Sequence, residues 1–192
     1  MNAHPKPPPL PADLPVPADD GAMAHLRGQV VPAIKLRSTD GHDVDVRELA
    51  TEALVLYVFP AMTAPSVPDP QGWDQIPGAR GCTQESCAFR DRYAAFRELG
   101  YVVAGLSAQT SDVQHEAWSR LHLGFPLLAD PHQELGEVLG LPTFEKDGRT
   151  YYKRVTLVAR EYRIEKVFYP VFPPDENADE VLAWIHAQGF AK

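Results

Sequence analysis

Two almost uninterrupted apolar runs constrain this chain more than anything else in it: "ALVLYVF" at residues 53–59 and "YVVAGLS" at 101–107. A strand with one face in water alternates polar and apolar residues, so runs like these belong to strands covered on both faces. Pro60 ends the first run, since it has no N–H for a strand ladder. Neighbouring segments supply the cover. From Cys82 onward, Phe89, Tyr93 and Phe96 recur at spacings of four and three, a helical face stopped by Gly100. "SDVQHEAWSRLHL" opens on a Ser/Asp cap and keeps the same period through Val113, Ala117 and Leu121.

The other segments extend this plan. Residues 29–47 and just beyond read as a strand, a turn at "STDGHD" and a second strand. "FPLLAD" is a short extended piece, and "PHQELGEVLGL" a proline-initiated helix. "YYKRVTLVARE" and "RIEKVFYPVF" alternate around a turn near Glu161, as an antiparallel hairpin does. "NADEVLAWIHAQG" closes the chain as a capped amphipathic helix with Val181, Leu182, Trp184 and Ile185 inward. Parallel strands joined by helices, with an antiparallel pair at the end, make an α/β chain. The expectation is a thioredoxin-like fold, a central mixed β-sheet flanked by helices with an N-terminal β-hairpin extension.

Composition fixes the domain count and excludes some partners. At 192 residues and 44% hydrophobic, the chain suffices for one full-sized core, expected over residues 25–192. Seven of its nineteen prolines fall within residues 1–20, so residues 1–24 read as a disordered Pro-rich tail. Residues 64–80 hold four more prolines and read as an inserted loop, with Trp73 and Ile76 to pack against the domain. A net charge of −8 argues against nucleic acid and against an anionic membrane surface. No apolar run approaches the ~18 residues of a membrane-spanning helix, and the first twenty residues lack a signal-peptide core. A cytoplasmic location is the default expectation.

Both cysteines of the chain, Cys82 and Cys87, lie in one short segment, "GARGCTQESCAFRDRY". Cys82 falls at the start of the predicted helix, where unpaired N–H groups and the positive dipole end favour a thiolate. A helix does not put residues i and i+5 on one face. Standard helical rise and radius leave their Cα atoms ~8.6 Å apart, beyond the ~7 Å that a disulfide tolerates. They can bond only if the helix partly unwinds. Two unrelated buried cysteines would also fit the spacing. A metal site would not, because none of the seven histidines stands at ligand spacing.

The stretch "YVFPAMT … GCTQESCAFRDRY", followed by "GLSAQTSDVQHEAW", "FPLLAD" and a closing "VLAWI" helix, resembles the peroxiredoxins, specifically the bacterioferritin comigratory protein (Q-type) group. The likeness spans roughly residues 28–188. It implies that Cys82 is the peroxidatic cysteine and Cys87 the resolving one, joined within one chain. It implies that Pro60 shields the thiolate and that Arg154 stabilises it and orients the peroxide. It also implies a hydroperoxide substrate, a thioredoxin or similar dithiol reductant, a monomer, and neither metal nor organic cofactor. Glu85 matches a Gln/Glu position of the group.

In that group a threonine precedes the cysteine by three residues, where this chain has Ala79. Thr63, in "PAMT", can supply the hydroxyl if it folds back toward Cys82 and the loop bulges over the pocket; Thr83 is the substitute. Two other activities compete with the peroxidase. One is a thioredoxin-type thiol–disulfide oxidoreductase, suggested superficially by "GLPTF" at 140–144, whose Pro142 also fits a plain turn at a helix end. The other is a non-enzymatic redox-sensing module.

Overall fold

The structure is a computed structural model that describes residues 6–189. Its strands are β1 (Lys35–Ser38), β2 (Asp43–Asp45), β3 (Ala53–Val58), β4 (Val102–Ser107), β5 (Leu127–Ala129), β6 (Thr143–Lys146), β7 (Arg149–Tyr152), β8 (Val155–Arg160) and β9 (Arg163–Phe168). The helices are α1 (Val46–Leu49), α2 (Cys82–Glu98), α3 (Ser111–Arg120), α4 (Glu134–Leu139) and α5 (Asn177–Ala187). Seven strands form one sheet in the order β2-β1-β5-β4-β3-β8-β9. The two apolar runs lie side by side at its centre: β3 and β4 pair in parallel, Leu54 opposite Val102 through Val58 opposite Leu106. All six residues of β3 are buried, as a doubly covered strand requires. β5 continues the parallel set, whereas β8 runs antiparallel to β3 and β9 antiparallel to β8. This is the expected mixed sheet, with the β1–β2 hairpin added antiparallel to β5.

Side-chain alternation along β3 divides the core in two. Val55, Tyr57 and Phe59 face a layer built by α2, α3 and α5, including Cys82, Cys87, Phe89, Ala117 and Ile185. Leu54, Leu56 and Val58 face the opposite layer, with Met23, Leu26, Val46, Leu135 and Tyr152. Full burial of each large apolar side chain is worth ~1.5–3 kcal/mol, so both layers hold the central strands. Tyr57 stacks on Phe89 with ring centroids 4.5 Å apart, which fixes α2 over the end of β3.

Local details depart from the sequence reading. Tyr151 and Tyr152 belong not to the β8–β9 hairpin but to β7, which pairs with β6 in a separate two-stranded sheet. α4 is capped by Asp130, whose carboxylate accepts from the N–H groups of Glu134, Leu135 and Gly136; Pro131 does not begin it. Residues 1–5 of the expected tail lie outside the described residues. Residues 6–24, read as disordered from composition, run instead along the domain: the Gln84 amide donates to Pro8 O at 2.9 Å, and Asp20 accepts from Lys153 and Tyr169, each at 2.8 Å. In the loop at 64–80, Trp73 is buried and packs on Phe144 and Tyr151, 5.7 and 5.0 Å between ring centroids.

Candidate active site

The site forms where β3, α2 and β8 converge. β3 ends at Pro60, a buried residue whose carbonyl accepts from the Ser107 hydroxyl at 3.0 Å. That bond ties the exit of β3 to the end of β4, so that the N–H of the next residue, Ala61, is among the groups favouring the Cys82 thiolate. Gly81 leads into α2 with φ +108°, and a β-carbon there would stand 2.3 Å from Pro174 Cγ. Only glycine fits both the backbone and the contact. Cys82 is therefore the first residue of α2 and is 4% exposed.

Arg154 precedes β8, the strand next to β3, and is 3% exposed. One arm of its guanidinium, Nη1, is ion-paired to Glu85 Oε2. The other, Nη2, donates to the Cys82 sulfur at 3.3 Å and also meets the carbonyls of Gly78, Ala79 and Arg80. Glu85 Oε1 accepts from the Asn177 amide at 2.9 Å, and that amide also donates to Thr156 Oγ1 at 2.6 Å. Glu85, Asn177 and Thr156 are fully buried. A carboxylate on one turn of α2 is thus clamped from two sides, which aims the planar fork of Arg154 at the sulfur.

Burial is the leading influence on the titration of this cluster. It pushes the Cys82 thiol up; Arg154 and the Ala61 N–H pull it back without prevailing, and Glu85 adds to the rise. The helix start alone suggests a lowered thiol, but here the Arg154 cation divides its charge between the sulfur and a carboxylate. Burial also raises Glu85, against Arg154 and Asn177. On Arg154 burial acts downward, yet Glu85 and Cys82 outweigh it and hold the guanidinium above its ordinary range. Arg154 Nε is buried without a hydrogen-bond partner among the described residues.

Of the residues singled out in the sequence, Cys82, Glu85, Arg154 and the Pro60 segment come together. Cys87 lies on α2, also buried, 2% exposed, and both thiols are free. Thr63 does not join them. Its hydroxyl donates to Asp69 Oδ1 at 3.0 Å, and Asp69 is held in turn by Arg80 at 2.5 Å. The hydroxyl closes the inserted loop. Beside the sulfur stands the Ala79 carbonyl, which accepts from the Cys82 thiol at 3.6 Å. Sequence reasoning missed Asn177, whose position at the head of α5 reads as a cap; its side chain caps nothing and points to Glu85. It also missed Gln109, whose amide clamps Met62 through both backbone groups at 2.8 Å.

Comparison with known proteins now decides the family. The Redoxin family pattern matches residues 26–182. The chain belongs to the Redoxin family. It is 26% identical over 183 residues to the chloroplastic peroxiredoxin Q of Gentiana triflora, an alignment covering 92% of this chain and 76% of that protein. The peroxidoxin BcpB of Mycobacterium tuberculosis superposes with a TM-score of 0.70 at 25% identity, over 85% of this chain and 98% of the other. The PrxQ of Xylella fastidiosa, at 20% identity, shares the fold with the same score of 0.70 over 86% and 98%. Within the family the chain groups with the Q-type peroxiredoxins, thioredoxin-like in fold and thiol-dependent peroxidases in activity.

Proposed function

We propose that Cys82 is the sulfur that attacks the peroxide and that Cys87 resolves the product within the same chain. The observation that carries this reading is the donation from Arg154 Nη2 to the Cys82 sulfur at the buried first residue of a helix. Arg154 stabilises the thiolate, and its unused Nε–H offers a donor to an incoming peroxide oxygen. Cys82–SH and R′OOH give Cys82–SOH and R′OH: the thiolate takes the distal oxygen, the O–O bond breaks, and the thiol proton ends on the leaving oxygen. Cys82–SOH and Cys87–SH then give the disulfide and water. A dithiol reductant of the thioredoxin kind restores both thiols by exchange, leaving its own disulfide. The proposed setting is the cytoplasm, where such reductants keep thiols reduced.

Organic hydroperoxides are included as substrates because a groove of about 810 Å³ reaches Ala61, beside the sulfur. Val67, Trp73, Ala108 and Tyr151 line it with apolar surface suited to an alkyl group. The test is peroxide consumption with thioredoxin recycling, alongside insulin reduction. Wild type consumes peroxide and fails to reduce insulin, Cys82→Ser does neither, and Cys87→Ser completes one turnover without recycling. Rapid peroxide consumption by Cys82→Ser would remove Cys82 from the mechanism.

A further inference from the structure

The first half of α2 is buried nearly all round. Cys82, Gln84, Glu85, Ser86, Cys87, Phe89 and Arg90 are all covered, whereas most of its second half is exposed. Part of that cover comes from the N-terminal arm, which lies outside the family-matched residues 26–182. The arm crosses the approach to α2 and its first turn at three points. A β-carbon placed on Gly78 would stand 3.6 Å from Pro17 Cγ, one placed on Gly81 would stand 3.2 Å from Leu10 Cδ2, and Pro8 O accepts from Gln84 Nε2 at 2.9 Å. Beyond them Asp20 is fastened by Lys153 and Tyr169, and Met23 and Leu26 are buried in the core. The arm is therefore moored at one end and seated at the other on the turn that holds Cys82.

We propose that residues 6–20 are a redox-coupled strap. They seat on the folded first turn of α2, delay the unwinding that brings Cys87 to Cys82, and lose their seat once the disulfide forms. The proposal rests on the assignment of Cys82 and Cys87 given above. The proline-rich sequence makes such a strap effective, because a stiff extended segment loses little freedom on docking. Linkage fixes the rest. An arm that binds only the folded turn stabilises it, and unwinding the turn weakens the arm's hold by the same factor.

Two fates of the sulfenic acid expose the effect. Cys82–SOH condenses with Cys87–SH, losing water, or it meets a second hydroperoxide and becomes Cys82–SO₂H, losing R′OH. Whatever slows unwinding favours the second. A seat worth one hydrogen bond shifts the unwinding equilibrium by about five-fold.

The experiment uses the full-length chain with Leu10→Glu, Leu10→Ala and, as a control, Val16→Ser at a position 69% exposed. Each is treated with graded hydrogen peroxide, and sulfinic acid and disulfide are counted by mass spectrometry. Both Leu10 variants should give about five-fold less sulfinic acid per disulfide than wild type, with Val16→Ser unchanged. A protease cutting before aspartate should cleave wild type at Asp13 several times faster in the disulfide form than in the dithiol form. It should cleave Leu10→Glu alike in both. An unchanged sulfinic fraction in both Leu10 variants, or Asp13 cleavage indifferent to redox state in wild type, overturns the strap. Wild type showing no Cys82 oxidation at all overturns instead the assignment on which the strap rests.

Discussion

Glu85 and Arg154 form an ion pair with both side chains buried, 0% and 1% exposed, and the free end of the guanidinium rests on the Cys82 sulfur. Such a pair adds little net stability over an apolar replacement, but removing one partner strands a charge. Its value lies in aim. The carboxylate fixes the fork, and the fork fixes the thiol.

Arg154→Met should therefore damage both activity and stability. Loss of a preorganised charged donor at the reacting centre lowers peroxide turnover about 10²–10³-fold. The stranded Glu85 reduces folding stability by about 3–5 kcal/mol. Arg154→Lys keeps a charge but not the fork, and should fall between wild type and methionine in rate. Stopped-flow peroxide reduction with urea denaturation of the three proteins measures both effects.

The raised Cys82 thiol gives a pH dependence of definite sign. Its folded-state value lies above that of the unfolded chain, so the native state holds the proton more tightly. That contribution to stability is complete below the unfolded value and is lost as pH rises through the folded one. Peroxide attack, which needs the thiolate, climbs over the same range. Glu85→Gln removes a negative charge that lifts the thiol and returns Arg154 to the sulfur, so its rate curve should move to lower pH. A shift to higher pH would mean that Glu85 does not act through charge.

Asn177→Leu tests the far side of the clamp. Glu85 and Thr156 each lose the donor that now reaches them at 2.9 and 2.6 Å. The unsatisfied carboxylate oxygen should cost about 1–3 kcal/mol, read from chemical denaturation. Freed on one side, Glu85 ceases to hold the Arg154 fork, and peroxide turnover should drop while the fold persists. Wild-type turnover in this variant would show that the ion pair orients itself.

Gly81→Ala should displace the start of α2. The added methyl meets Pro174 at 2.3 Å and the backbone is left-handed, so two penalties act at one residue. We expect a loss of stability together with faster alkylation of Cys82, now less enclosed. A thiol-labelling time course against a melting curve measures the pair.

Legibility in the sequence followed the range of the forces involved. Continuous apolar runs can be satisfied only by two-sided burial, so β3 and β4 were readable, as was α2 from the period of Phe89, Tyr93 and Phe96. Arg154 was reached only through resemblance, because nothing in a strand distinguishes a cation that pairs inward from one that faces water. Asn177 carries the local signature of a helix cap but is used by a carboxylate 92 residues away. Thr63 had the chemistry expected of the site, yet Asp69, six residues on, competes for its hydroxyl and holds it. The arm was read from its prolines as having little to bury. The half-buried Leu10 beside Gly81 and the hydrogen bond from Gln84 to Pro8 O are contacts that proline content does not reveal.

The most direct measurement is the mass of the reduced protein after one equivalent of hydrogen peroxide, followed by peptide mapping. The account predicts loss of two hydrogens and a single cross-linked peptide joining Cys82 to Cys87, absent from Cys82→Ser and Cys87→Ser. A stable sulfenic acid on Cys82 with Cys87 still reduced, or a bridge found only between two chains, would contradict it.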